Sequence, residues 1–322
     1  MRRDTFLKSL AALAALGAGL PARAQAGAHL KIMIPANPGG GWDTTARTLG
    51  RALQEAKQAA SVNYDNKGGA SGALALAPFL SSAKGDANQM IMTGTTMVGG
   101  LIGSKSPLQL MSATPLARLT TEYAVYVLPA NSPFKTMADV VTQLKKAPGS
   151  VKWGGGSRGS TEHIAAAMLA REVGVDPAKI NYVAFRGGGE ATAAILGGNV
   201  TLGGSGYSEF AEYIHTGKMR AVAVTAPQRL PGIADVPTLK ELGINVEIGN
   251  WRGIFGGVGI TPAQRQALIQ AIVAATQTPT WQDALKKYDW TPALLTGDEF
   301  SQFVQSQFTS LREIMSTSGM VS

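Results

Sequence analysis

The sequence predicts an α/β protein whose two domains face each other across a cleft. Short apolar strands alternate with amphipathic helices along the chain, the pattern of mostly parallel sheets covered by helices. Glycine-rich strand-to-helix turns stand at residues 35–44 and 153–161, too far apart for one local unit. Beyond a leader, roughly 300 residues remain, enough for two domains of ordinary size.

The elements follow in order. Leu30–Pro35 reads as a strand, then a glycine-rich turn and a helix from about Thr44 to Ala59. Val62–Asn66 is a short strand, Gly72–Ala83 a helix, and Met90–Thr93 and Tyr123–Leu128 are strands. Thr136–Lys145 is helical and closed by Pro148-Gly149. Val151–Trp153 is a strand, and the second glycine-rich turn opens a helix over Thr161–Glu172. Asn181–Phe185, Val200–Gly203 and Arg220–Thr225 read as strands, with helices around Glu190–Leu196 and Glu209–His215. The last third holds the apolar stretch Trp251–Val258 and helices at Pro262–Thr276, Thr280–Lys287 and Asp298–Ser316.

The first residues predict an address. Arg2, Arg3 and Lys8 are followed by an apolar run from Leu10 to Leu20 and by Pro21-Ala22-Arg23-Ala24. A charged start, a short apolar stretch and a small-residue site make a secretory signal peptide over residues 1–24, cut after Ala24 or Ala26. The run is too short to span a bilayer, which takes ~20 apolar residues. The spacing from Arg2-Arg3 to Phe6-Leu7-Lys8 is one residue longer than twin-arginine export prefers, so the export route stays open.

The chain has no cysteine, which excludes disulfides, thiolate metal sites and a lipid anchor on cysteine. A protein free in the periplasm is expected. Net charge is +8, and removal of residues 1–24 takes away four bases and one acid to leave +5. The basic residues are scattered, with no run beyond Lys145-Lys146 or Lys286-Lys287, so no nucleic-acid partner is expected.

In the first turn, Asn37-Pro38-Gly39-Gly40-Gly41-Trp42-Asp43 lets backbone N–H groups approach a ligand at the positive end of a helix. A simple cap by Asp43 or Thr44 would not need three glycines. The second turn, Gly154 to His163, fits two enzyme patterns by accident. Gly154-x-Gly156-x-x-Gly159 matches a dinucleotide fingerprint, but the next strand runs into Arg186 instead of the acid that grips a ribose. Gly155-x-Ser157-x-Gly159 matches a nucleophile elbow. A secreted serine hydrolase built on Ser157, with His215 and an upstream acid, is therefore the alternative reading. The three histidines are far apart in sequence, no aspartate-rich loop occurs, and neither a metal nor an organic cofactor is expected. Two more glycine-rich strand-to-helix turns, at 185–190 and 203–209, add donors but little acid–base machinery. That is the inventory of a binder, not an enzyme.

At these residues the chain resembles the substrate-binding proteins of tripartite tricarboxylate transporters, the Bug-type receptors. The carriers are residues 35–43, 154–163, 181–191 and 195–198, then 217–221, 235–241 and Asn250-Trp251-Arg252-Gly253, together covering essentially the whole processed chain. The resemblance implies a two-lobe periplasmic-binding-protein fold of type II kind, with a ligand cleft between the lobes. It implies capture of a small carboxylate, a citrate-like tricarboxylate or a dicarboxylate, for the membrane components of such a transporter. Carried onto this chain, the ligand-binding residues are Asn37, Gly39, Gly40, Gly41, Trp42 and Asp43 in the first lobe, with Thr95 and Thr96 as further candidates. In the second lobe they are Ser157, Arg158, Gly159, Ser160, Thr161, His163, Gly187, Gly188, Ser205, Gly206 and Tyr207. Arg158 departs from the small residue usual there and is expected to grip a second carboxylate through its two-pronged guanidinium. One lobe is expected from residues 27–124 and 226–322, the other from 125–225, in a protein acting as a monomer.

Overall fold

The computed structural model describes residues 27–321. The expected signal peptide, residues 1–24, lies outside them. The elements, in chain order, are β1 (His29–Ile34), α1 (Gly41–Glu55), β2 (Ser61–Asn66), α2 (Ala73–Ser82), β3 (Gln89–Gly94) and α3 (Thr95–Gly103). Then come β4 (Thr114–Pro129), α4 (Met137–Lys146), β5 (Lys152–Gly155), α5 (Thr161–Glu172), β6 (Asn181–Ala184), α6 (Gly188–Leu196), β7 (Leu202–Gly206), α7 (Tyr207–His215) and β8 (Met219–Val224). The last are β9 (Gly249–Gly256), α8 (Pro262–Thr276), α9 (Pro279–Lys287), β10 (Thr291–Thr296) and α10 (Gly297–Thr317).

The strands run in the order β2-β1-β3-β9-β4-β7-β5-β6, with β8 and β10 also paired to β4. Parallel pairs β1–β2 and β1–β3 build one lobe, and parallel pairs β5–β6 and β5–β7 build the other. The long strand β4 joins them. Its residues 114–123 pair antiparallel with β9, and residues 124–129 pair with β7 and β8. A second crossing lies alongside: Thr225 Oγ1 accepts the N–H of Ala124 at 3.0 Å and donates to the carbonyl of Ile248 at 2.9 Å. Two crossings between two α/β lobes give the two-lobe binding-protein fold that the resemblance implied.

Local chemistry explains most elements. In α1, Trp42, Ala46, Leu49, Ala52 and Leu53 are buried, at the three- and four-residue spacing of one apolar face. Helix α4 begins in a reciprocal capping box between Thr136 and Asp139, and α8 in another between Thr261 and Gln264. Four elements depart from the sequence reading. Helix α1 starts at Gly41, inside the glycine run rather than at Thr44. Helix α3 and strand β10 fall in stretches where the sequence pattern marks no element. The first nine residues of β4 carry buried Thr120, Thr121 and Glu122, which hid a central strand behind polar letters.

Candidate functional site

Four strand-to-helix turns open on the same cleft, beyond the carboxyl ends of β1, β5, β6 and β7, where ligands of such sheets sit. The cleft is narrow, with a cavity volume of about 80 Å³, and is walled from both lobes. The turn after β1 delivers Gly40, Gly41 and Trp42, and α3 adds Thr96. The turn after β5 delivers Gly156, Ser157 and Ser160, and the turn after β6 delivers Phe185–Gly188. Strand β7 and α7 bring Ser205 and Glu209, and β9 supplies Asn250 and Arg252 at the floor.

Of the residues named from sequence, Gly40, Gly41, Trp42, Thr96, Ser157, Ser160, Gly187, Gly188 and Ser205 line this cleft. Asn37 stands at its rim, where Nδ2 donates to Glu190 Oε1 of the opposite lobe at 2.5 Å. Other residues of the set support its walls. Gly39 N donates to Asp43 Oδ2 at 3.1 Å, while Asp43 Oδ1 accepts from Arg47 Nε at 2.9 Å and Asn66 Nδ2 at 3.0 Å. Thr95 Oγ1 accepts from Trp251 N and donates to the Gly249 carbonyl, tying α3 to β9. Gly159, at φ +81°, packs against the backbone of Gly99 and Gly100. Thr161 is buried as the first residue of α5.

His163 Nδ1 accepts the N–H of Gly159 at 3.0 Å, and its ring lies 4.3 Å from that of Tyr182. Burial, helped by the charge of Arg158, pushes its pKa down to about 4 and keeps the ring neutral. The Arg158 side chain is exposed and borders a neighbouring cavity, while its carbonyl accepts from Ser71 Oγ at 2.6 Å. Gly206 backs onto the Glu122 carboxylate. Tyr207 points away, its hydroxyl 3.0 Å from His215 Nε2 and donating to Gly232 O at 3.2 Å.

The elbow pattern at Ser157 does not form the pair that a serine hydrolase needs. Ser157 Oγ donates to the Phe185 carbonyl at 3.4 Å, and His215 is engaged by Tyr207.

The sequence reading passed over the charged floor. Arg252 and Glu122, both 1% exposed in their side chains, form an ion pair under the glycine turn. Arg252 Nη1 also donates to Thr45 Oγ1 at 3.1 Å, and Ser208 N donates to Glu122 Oε1 at 2.8 Å. A side chain on Gly41 would overlap the Arg252 guanidinium, which is why that turn is glycine there. Burial raises the pKa of Glu162, and burial followed by the charge of Glu122 pushes Glu209 up to about 7. Arg252 Nε and Asn250 Oδ1 are buried without a partner among the described residues, one donor and one acceptor. A signal for Arg252 and Asn250 was present, because both stand in the Asn-Trp-Arg-Gly stretch that carried the resemblance.

Residues 45–320 match the family described as "Tripartite tricarboxylate transporter family receptor". The chain belongs to the TctC family. A relative is a Cupriavidus necator protein, "UPF0065 protein in gbd 5'region", 27% identical over 318 residues, covering 96% of this chain and 95% of the relative. Among solved structures, the periplasmic binding protein BugD matches with a TM-score of 0.82 at 21% identity, over 91% of this chain and 98% of that one. MatC from Rhodopseudomonas palustris, with bound malate, matches with a TM-score of 0.79 at 21% identity, over 89% and 98%. A second R. palustris protein, with adipate, matches at 0.81 and 20% identity, over 90% and 97%. At these identities the likeness to the solved structures is one of fold. Among the described residues no helix is long and apolar enough to cross a membrane.

Proposed function

We propose that this TctC-family chain is a periplasmic receptor that closes on a small carboxylate, a dicarboxylate or tricarboxylate, and passes it to the membrane components of a tripartite transporter. The observation that carries this reading is the convergence of two helix N-termini, α1 at Gly41 and α6 at Gly188, on one cleft from opposite lobes. Each presents first-turn N–H groups that have no partner within the helix, together with the positive end of a helix dipole. The hydroxyls of Thr96, Ser157 and Ser160 add donors between them. Malate and adipate in the two R. palustris neighbours agree with a ligand of this kind.

The lobes proposed are residues 27–124 with 226–322, and 125–225, hinged near the point where β4 changes partners. The leader at 1–24 directs export, and the protein acts as a monomer. The test is native mass spectrometry of protein purified without dialysis, followed by calorimetry with malate, adipate and citrate. A retained organic acid and one-to-one binding are expected. Steady ester turnover that vanishes in Ser157→Ala would replace this reading with the hydrolase.

A further inference from the structure

Glu209 enters the cleft from the first turn of α7, in the second lobe. Its Oε1 accepts the N–H of Gly41, the first residue of α1 in the first lobe, at 3.0 Å. Its Oε2 accepts the hydroxyl of Ser205. A Cβ on Gly40 would stand 3.1 Å from the Gly188 nitrogen and 3.4 Å from Glu209 Oε1, and one on Gly188 would overlap that carboxylate. The glycines thus leave a slot between the lobes, and a carboxylate of the chain itself fills it. The N–H it uses is one that a helix start offers to an anion.

We propose that Glu209 is a displaceable internal ligand, whose carboxylate competes with that of the solute for the Gly41 N–H and ties the lobes together until it is displaced. The proposal rests on the cleft being a carboxylate site. It sets a specificity rule. A tethered carboxylate acts at high effective concentration. A solute therefore wins only by adding contacts that Glu209 cannot make, to Ser157, Ser160 and the N–H groups at Gly187 and Gly188 on the far wall. A carboxylate carrying a second polar group that reaches this wall is selected over a simple monocarboxylate. Other bonds also cross between the lobes: the one from Asn37 to Glu190 is exposed and holds less strongly, and Ser71 Oγ donates to the Arg158 carbonyl at 2.6 Å away from the anion slot.

The experiment compares the parent, Glu209→Gln and Glu209→Ala, each unfolded and refolded in carboxylate-free buffer to remove any bound solute. Small-angle scattering of the three ligand-free proteins is expected to show Glu209→Ala expanded. Glu209→Gln, whose amide oxygen still accepts from Gly41, should stay near the parent. Calorimetry at pH 8, where Glu209 is ionised, with malate, citrate and adipate is expected to show Glu209→Ala binding its best acid about tenfold more tightly than the parent, the worth of one charge-assisted hydrogen bond. Superimposable scattering from all three proteins would overturn the tie. Weaker binding by Glu209→Ala would overturn the competition and make Glu209 a direct contact. If none of the three acids binds any of the proteins while the scattering difference persists, the carboxylate reading falls and the tie stands.

Discussion

Two ionisable side chains near the cleft should give the protein opposing pH responses. His163 has its pKa lowered from 6.5 to about 4 by burial and the Arg158 charge. Its unfolded form therefore takes up a proton first, so this contribution to stability is full above pH 6.5 and shrinks as pH falls toward 4. Glu209 has the reverse sign. Its pKa is raised from 4.5 to about 7, chiefly by burial and next by Glu122, against lowering by Ser205 and Arg252. The native state holds that proton longer than the unfolded chain, so its contribution is full below pH 4.5 and is lost as pH rises to about 7. Melting temperatures from pH 4 to 7 should show a flatter acid slope in His163→Gln and a shallower loss toward neutrality in Glu209→Gln. Parallel curves for parent and variant would contradict the assigned burial. Arg158 was expected from sequence to grip a second carboxylate, at a cost to Arg158→Ala of roughly 10- to 150-fold. Its side chain is exposed. Exposed charges contribute little, and the expected change in solute affinity is now less than about twofold by calorimetry.

At the scale of the element, small residues decide what packs. Helix α3 has the sequence Thr-Thr-Met-Val-Gly-Gly-Leu-Ile-Gly, which reads as loop because glycine disfavours a helix. In the fold its glycines are what lets it form. A Cβ on Gly99 would run into the Gly159 carbonyl, and one on Gly100 into the Ser71 side chain. Gly99→Ala should therefore push α3 off the second-lobe turn, lowering stability and weakening closure together. Ser160 caps α5 by accepting the His163 N–H, and Ser160→Ala should cost about 1 kcal/mol in urea unfolding. Elements with a clear period, such as α1, and with a clear cap, such as α4, were legible in sequence. The four glycine turns were legible too, because three of them carry three glycines in a row, more than a turn needs. Elements whose stability comes from tertiary contact were not: α3, the polar first half of β4, and short β10 beside it. The acids of the cleft escaped for a related reason. Glu122, Glu162 and Glu209 look in sequence like solvent-facing carboxylates, and only the fold turns them inward to Arg252.

At the scale of the molecule, the pair Arg252–Glu122 joins β9 to β4 close to the change of lobe. Removing one member leaves the other charge buried and alone, which costs about 3–5 kcal/mol. Arg252→Leu should lose that much in urea unfolding, and the double variant with Glu122→Gln should recover most of it. An additive double variant would mean that the two do not act as a pair. Strand β4 carries a further consequence, for how the protein comes apart. Its sixteen residues are laddered to β9 and β10 at one end and to β7 and β8 at the other. One lobe cannot melt without fraying the strand that completes its neighbour. Heat should consequently produce a single calorimetric transition with equal van't Hoff and calorimetric enthalpies, despite the two-lobe shape. The amides of Ala124 and Val127 should be among the last to exchange with deuterium, opening only when the whole chain does.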